Sequence, residues 1–262
     1  MLKTEIPTYR EPLQQAQALR ARADAKSLQK AVLILLKARQ LYVDAMPLGE
    51  ELAVVLTMQN KTEAVHALLT EMKKDYGDAT VEMLCRFGKL HKKLADSLCM
   101  SGSAATAINQ LEIAEKYYAE AFENSKLFYP RINQLTMRFL RAALLKGFDK
   151  NPVPLDSELL QQTRQEAQEL LQTPFLWTMT QSDDSIWVPA TMGEAHLLLG
   201  QYAQAETSYR NAMKEANGKK FYFDCMAAQV KMLAKACDQL GQPIVGELAT
   251  PDTFFTLPKV PS

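Results

Sequence analysis

The sequence predicts an all-α protein, an irregular solenoid of about ten or eleven helices paired as hairpins. Three observations predict it. Helix breakers recur at Pro12, Pro47, Gly77, Gly102, Pro130, Gly147, Pro152, Pro154, Pro174, Pro189, Gly200, Gly218 and Gly241, and leave segments of helical length between them. Within those segments apolar residues return at intervals of three and four, as in Leu28, Val32, Leu35 and Leu36, or Leu159, Leu160, Thr163, Ala167, Leu170 and Leu171. The alternation that a half-buried strand needs is absent.

Capping residues fit the same boundaries. Ser27, Thr62, Asp78, Ser103 and Ser157 each precede a periodic segment and can accept orphan N–H groups of a first turn. Pro189 suits a first helical position, where its missing N–H is not needed. Residues 1–241 are therefore read as the helical solenoid. Gln242 to Ser262, with Pro243, Pro251, Pro258 and Pro261 around Phe254 and Phe255, is read as an extended tail without helix. The two phenylalanines either pack back on the body or form a peptide that occupies its groove.

The strongest hairpin runs from Gly193 to Ala212. Gly193, Ala195, Gly200, Ala205, Tyr209 and Ala212 place small residues where two helices cross and an aromatic between them, with Tyr202 at the turn. That is the pattern of a tetratricopeptide unit, two helices in about 34 residues. Gly102, Ala114, Tyr118 and Ala121 repeat the spacing, and a weaker echo runs from Leu52 through Ala64 to Leu68. A unit of this kind cannot bury its apolar face alone and must stack on neighbours.

Composition narrows the function. With 47% hydrophobic residues the chain can bury a core, so it folds. Thirty basic residues balance thirty acidic ones, so no net field recruits nucleic acid or an anionic membrane. Lys3, Glu5, Pro7, Arg10, Glu11 and Pro12 stand where a secretory leader needs apolar residues, and the longest apolar run, Ala31 to Leu36, is too short to span a bilayer. A cytoplasmic protein is expected. Cys85, Cys99, Cys225 and Cys237 form no CxxC pair and read as buried reduced thiols.

Catalytic constellations are missing: no phosphate-binding glycine loop, nucleophile elbow or H-E-x-x-H motif is present. His66, His91 and His196 lack a second ligand at helical spacing, so no metal and no cofactor is expected. Carboxylate pairs such as Glu50 with Glu51 or Asp183 with Asp184 lie at segment ends, where solvated and capping roles prevail. No catalytic residue is assigned.

Two clusters are candidates for binding. Lys89, His91, Lys92 and Lys93 lie on one predicted helix, with Lys89 three and four residues from Lys92 and Lys93, and Tyr129, Arg131 and Asn133 follow a later break. They are either a solvated basic stripe or the lining of a concave surface that offers cations and an amide to a phosphate or carboxylate. Trp187 and Thr191, one turn apart beside Glu194, form the second cluster. Trp187 serves either as an inter-repeat core residue or as a stacking platform.

Three segments carry a family resemblance. LCRFGKLHKKLADS from Leu84 to Ser97, AEKYYAEAFENSKLFYPRIN from Ala114 to Asn133 and WVPATMGEAHLLLGQYAQAETSYRNAM from Trp187 to Met213 are similar, in order and separation, to the tetratricopeptide-like TRAF-binding domain of apoptosis signal-regulating kinases and bacterial proteins. The resemblance covers roughly residues 40–241. Lys89 and His91 stand where that family has Arg and Tyr, and Arg131 where it has Gly. The resemblance implies a scaffold or regulatory adaptor acting on a separate protein effector, or a sensor of a small anionic, nucleotide-derived ligand.

Overall fold

The computed structural model describes residues 8–22, 24–76, 80–148, 157–173 and 184–256. Gly77, Asp78, Pro152, Pro154, Pro174, Asp183, Pro258 and Pro261, which entered the sequence reading, lie outside the described residues. The described residues form twelve α-helices and no strand, and none of the helices is long and apolar enough to cross a membrane. The chain forms two compact units, Met1–Leu94 and Ala95–Ser262.

The first unit holds α1 (Arg10–Ala21), α2 (Ala25–Leu41), α3 (Met46–Met58) and α4 (Thr62–Tyr76). Helix α1 packs on α2 and α3, and α3 packs on α4. The apolar period explains this. Leu28, Ala31, Leu35 and Ala38 turn one face of α2 inward against Leu48, Leu52 and Val55 of α3, all buried. Each large aliphatic side chain so enclosed stabilises the unit by roughly 1.5–3 kcal/mol. Helix α2 is capped by Asp24 and not by Ser27: Asp24 Oδ1 accepts from Ser27 N at 2.8 Å, while Ser27 Oγ donates to Asp24 Oδ2 at 2.6 Å. Ser27 sits at the third helical position, buried.

Helix α5 (Val81–Met100) carries the chain from the first unit into the second, which holds α6 (Ala104–Ser125), α7 (Phe128–Phe148), α8 (Glu158–Gln172), α9 (Asp184–Leu198), α10 (Tyr202–Ala216), α11 (Lys220–Gln239) and the one-turn α12 (Pro251–Phe254). Helix α7 is the hub of this unit. It packs on α6, α8, α9 and α11, and every residue from Ile132 to Leu140 is buried. A helix surrounded on all sides buries its polar residues too, so each needs a partner. Gly147, read as a break, lies within α7 near its end. Pro189 is the sixth residue of α9 and leaves a carbonyl one turn earlier without its helical donor. Ser103 and Ser157 stand at N-cap positions, but neither makes a side-chain capping bond.

The repeat is set by its turns. At Asn60, Gly102, Gly200 and Gly241 the backbone is left-handed, with φ of 60, 76, 72 and 74°. In each case the next N–H reaches back to a carbonyl five residues earlier: Lys61 to Leu56 (3.0 Å), Ser103 to Leu98 (2.9 Å), Gln201 to His196 (2.9 Å) and Gln242 to Cys237 (2.8 Å). Each of the four N–H groups at the turn residue bonds three residues back, which completes a Schellman motif. Helices α4, α6 and α10 begin two residues after the first three turns.

This register corrects the one read from the aromatic residues. In the hairpin of α9 and α10, a Cβ on Gly193 would fall 2.8 Å from the ring of Tyr209, so the expected crossing is real. Gly102, however, corresponds to the turn residue Gly200 and not to Gly193, since it is exposed and nothing lies within 4 Å of its would-be Cβ. Ala107, Leu111 and Ala114 of α6, all buried, then match Ala205, Tyr209 and Ala212, one heptad earlier than Tyr118 suggested. The weaker echo shifts by one residue, to Ala53, Val65 and Leu69, all buried, whereas Ala64 is exposed.

The segment after α11 is not wholly extended. It contains a 3-10 turn, Glu247–Ala249, and then α12, and Phe254 and Phe255 pack against the body. Pro251 opens α12 at a position where its missing N–H is harmless.

Candidate functional site

The first cluster is divided between the units: Lys89, His91, Lys92 and Lys93 lie in the first, and Tyr129, Arg131 and Asn133 lie in the second, as do Trp187, Thr191 and Glu194. On α5, Thr80 Oγ1 caps the first turn by accepting from Met83 N at 3.1 Å and donates to Glu50 Oε1 at 3.0 Å. Lys89 is exposed, Lys92 half-buried and His91 buried. The His91 ring stands edge-on to His66 at 6.3 Å, and His66 in turn edge-on to Phe87 at 6.4 Å. Lys93 turns toward the end of α3, donating to Thr57 O at 2.9 Å and to Asn60 Oδ1. It adds a second donor to the Thr57 carbonyl at the end of that helix, and burial lowers the pKa of its ammonium.

In the second unit, Tyr129 is exposed and its carbonyl accepts from Asn133 Nδ2 at 2.9 Å. The Asn133 amide is thus bound to its own helix. Arg131 donates to Gln134 Oε1 at 2.9 Å, pairs with Glu166 at 3.1 Å and stacks over the Phe122 ring at 4.9 Å.

Arg131 is one end of a network that sequence reasoning missed. Arg138 of α7 pairs with Glu115 of α6 at 2.8 Å and with Glu166 of α8 at 2.9 Å, and Arg141 closes on Glu115 at 3.0 Å. Three guanidiniums face two carboxylates, and the Arg138 side chain is 9% exposed. The contacts at Glu115 Oε2, Glu166 Oε2 and Arg138 Nη1 are ion pairs outside hydrogen-bond geometry. Arg131, Arg138 and Arg141 recur at seven and three along α7, which puts them on one face, but their partners are 23 to 35 residues distant in sequence. The excess cation gives this layer a positive character.

Trp187, Thr191 and Glu194 take inward roles on α9. The Trp187 ring meets Tyr222 of α11 edge-on at 5.4 Å, and Thr191 is buried. Glu194, also buried, joins three helices: its Oε1 accepts from Thr136 Oγ1 of α7 and from Gln229 Nε2 of α11 at 2.5 Å. Burial, with Glu194 nearby, pushes the Tyr209 phenol well above its usual range, and its hydroxyl has no hydrogen-bond partner among the described residues.

Among the described residues no three His, Cys, Asp or Glu side chains converge as a metal site. The four cysteines are free thiols, and burial pushes Cys85 and Cys237 up to about 12, which keeps them protonated and inert. His196 Nδ1 lies 2.7 Å from Gln201 Oε1 beside the Gly200 turn, a local bond.

Helical hairpins closed by Schellman turns, with a small residue at the crossing, define an all-α tetratricopeptide-like repeat protein. Residues 9–138 match the family described as Tetratricopeptide Repeats-Sensor, just under half of the chain. The match covers α1 to α6 and most of the arginine face of α7, and ends before the hairpin of α9 and α10. No curated protein matches the chain.

Proposed function

We propose that this protein is a non-catalytic repeat module that binds a protein partner, as a scaffold or regulatory adaptor for a separate effector. One observation carries the reading. Helix α2 buries Leu28, Ala31, Leu35 and Ala38, yet Leu33, Leu36 and Leu41 on its other side, with Val43 just beyond, are 45% to 70% exposed. These leucines stand among the exposed Lys26, Gln29, Lys30, Lys37 and Gln40, and large aliphatics grouped on one exposed side mark a surface that another chain covers. The face lies within the matched residues. The regulatory part of the proposal draws on the resemblance to the TRAF-binding domain. Affinity capture from the native organism tests it: one stoichiometric protein partner is expected, and none would defeat the reading.

A second reading, a sensor of a small anionic, nucleotide-derived ligand, is favoured by the excess guanidinium on α7 and by the sensor in the matched family's description. In it Arg131 and Asn133, with Tyr129, meet the ligand from the second unit, and Lys89 and Lys92 remain candidates in the first. The ligand must displace Glu166 from Arg131. A thermal-shift series with nucleotides and dinucleotides tests this, because a ligand at a hundred times its Kd stabilises by about 2.7 kcal/mol. A shift lost in Arg131→Ala supports the sensor; no shift with any of them removes it.

A further inference from the structure

Three of the four Schellman turns are followed at once by a helix, but the one at Gly241 is not. Residues 242–256 instead run as a strap over α10 and α11, to which the 3-10 turn and α12 respectively attach. The strap is held in two different ways. Its root is pinned by side chains of the body: Lys146 Nζ donates to Leu240 O at 2.5 Å, Arg164 Nη2 to Gln242 Oε1 at 2.5 Å and Tyr202 OH to Gln242 O at 3.0 Å.

Beyond the root the contacts are those of a bound peptide. Glu206 Oε1 accepts from Glu247 N at 2.6 Å, Arg210 pairs with Glu247 at 2.5 Å, and Lys231 pairs with Asp252 at 2.5 Å. All four charged partners of those pairs are about half exposed or more, so the pairs orient the segment and hold it weakly. The anchor is apolar: Ile244, Leu248, Pro251, Phe254 and Phe255 are all buried, and the two rings make specific contacts. Phe255 meets Tyr209 edge-on at 5.4 Å, and the Arg210 guanidinium lies over the Phe254 ring at 5.0 Å. A surface pocket of about 220 Å³, open to solvent, lies at the tip between Lys220, Phe223, Asp224 and Ala227 of α11 and Asp252, Phe255 and Thr256 of the strap.

We propose that the α10–α11 surface is a peptide-binding site, and that residues 244–256 fill it as an intramolecular pseudo-ligand. Its partner is a segment of another protein with two adjacent aromatic residues, a carboxylate two positions before the first, and another seven positions before it. That is the spacing of Asp252 and Glu247 to Phe254. Arg210 reads the distant carboxylate and the first ring, Lys231 reads the near carboxylate, and Tyr209 receives the second ring. The pinned root keeps Gln242 on its own body, so the strap starts beside the surface it fills, which favours that surface over a second copy's. This names a surface for the binding reading above, and its failure leaves capture through α2 untouched, because the two surfaces are probed separately.

The test uses the full chain and a fluorescein-labelled synthetic peptide of residues 243–256, followed by fluorescence anisotropy. The wild type, whose own strap competes at an effective concentration near millimolar, should bind it weakly. Phe254→Ala/Phe255→Ala opens the site by removing the two rings of the anchor, and Glu247→Lys/Asp252→Lys opens it by charge reversal with both rings retained. Each should bind the peptide at least ~10-fold more tightly than the wild type. Adding Arg210→Glu and Lys231→Glu to the first variant should abolish the gain. Equal binding by the wild type and both opened variants, with cooperative melting retained, would overturn the proposal. So would a wild-type dimer that the opened variants lose, which would make the occupant a second copy.

Discussion

Gly193 of α9 and Tyr209 of α10 share one volume: a Cβ on Gly193 would lie 2.8 Å from both Cδ2 and Cε2 of the Tyr209 ring. The ring is enclosed and has Phe255 edge-on against it, so it cannot swing aside without disturbing a second aromatic. Gly193→Ala should therefore destabilise by about 1–3 kcal/mol through overpacking. Gly147→Ala is the matched control, since nothing lies within 4 Å of its would-be Cβ in α7. It should be neutral or stabilise by up to ~1 kcal/mol. Thermal unfolding of the two variants checks the difference; equal melting temperatures would contradict it.

The Tyr209 hydroxyl is buried without a partner among the described residues. An unsatisfied hydroxyl costs about 1–3 kcal/mol, so Tyr209→Phe should match or exceed the wild type in denaturant unfolding by ~1 kcal/mol or more. A marked loss would mean that the hydroxyl has a partner after all.

Arg138 stands between Glu115 and Glu166. Arg138→Met keeps the volume and leaves two carboxylates in a largely enclosed layer. Breaking a buried pair costs ~3–5 kcal/mol, and the low end applies here because Arg141 and Arg131 still face those carboxylates. The denaturation midpoint should fall with its slope unchanged.

Glu50 gives a pH signature. Burial raises its carboxyl above the ordinary 4.5, against the lowering effect of the Thr80 hydroxyl. The folded state then holds the proton more tightly than the unfolded state does. The contribution of Glu50 to stability is fully present below 4.5 and is lost as pH rises through the raised folded pKa. Glu50→Gln, which retains an acceptor for Thr80, should melt above the wild type at pH 7 and with it at pH 4. The reverse order would refute the assignment.

The helices and the hairpin of α9 and α10 were legible because they rest on local chemistry, apolar spacing and small residues at a crossing. The register of the other hairpins was not. Tyr118 and Tyr209 look equivalent, yet Leu111 fills the place that Tyr209 takes, and an asparagine at position 60 supplies the left-handed turn that glycine supplies elsewhere. Anchoring on the turn residue and its two following positions would have aligned all three hairpins. The candidate site was less legible still. Arg131 and Asn133 stood out as polar residues after a proline, but their engagement with Glu166 and with the Tyr129 carbonyl depends on helix packing and on a back-bond that spacing alone does not announce. Arg138, and the inward role of Glu194, were hidden for a related reason: they are polar residues of buried helix faces, where pairing across helices makes their burial tolerable.

The exposed face of α2 bears most directly on the central claim, that this chain works by binding another protein. Leu33→Lys/Leu36→Lys keeps good helix formers on solvent-facing positions and should leave the melting temperature near that of the wild type. Quantitative affinity capture should return a stoichiometric partner with the wild type and lose it, by ~10-fold or more, with this variant. Equal recovery by both chains would contradict the account.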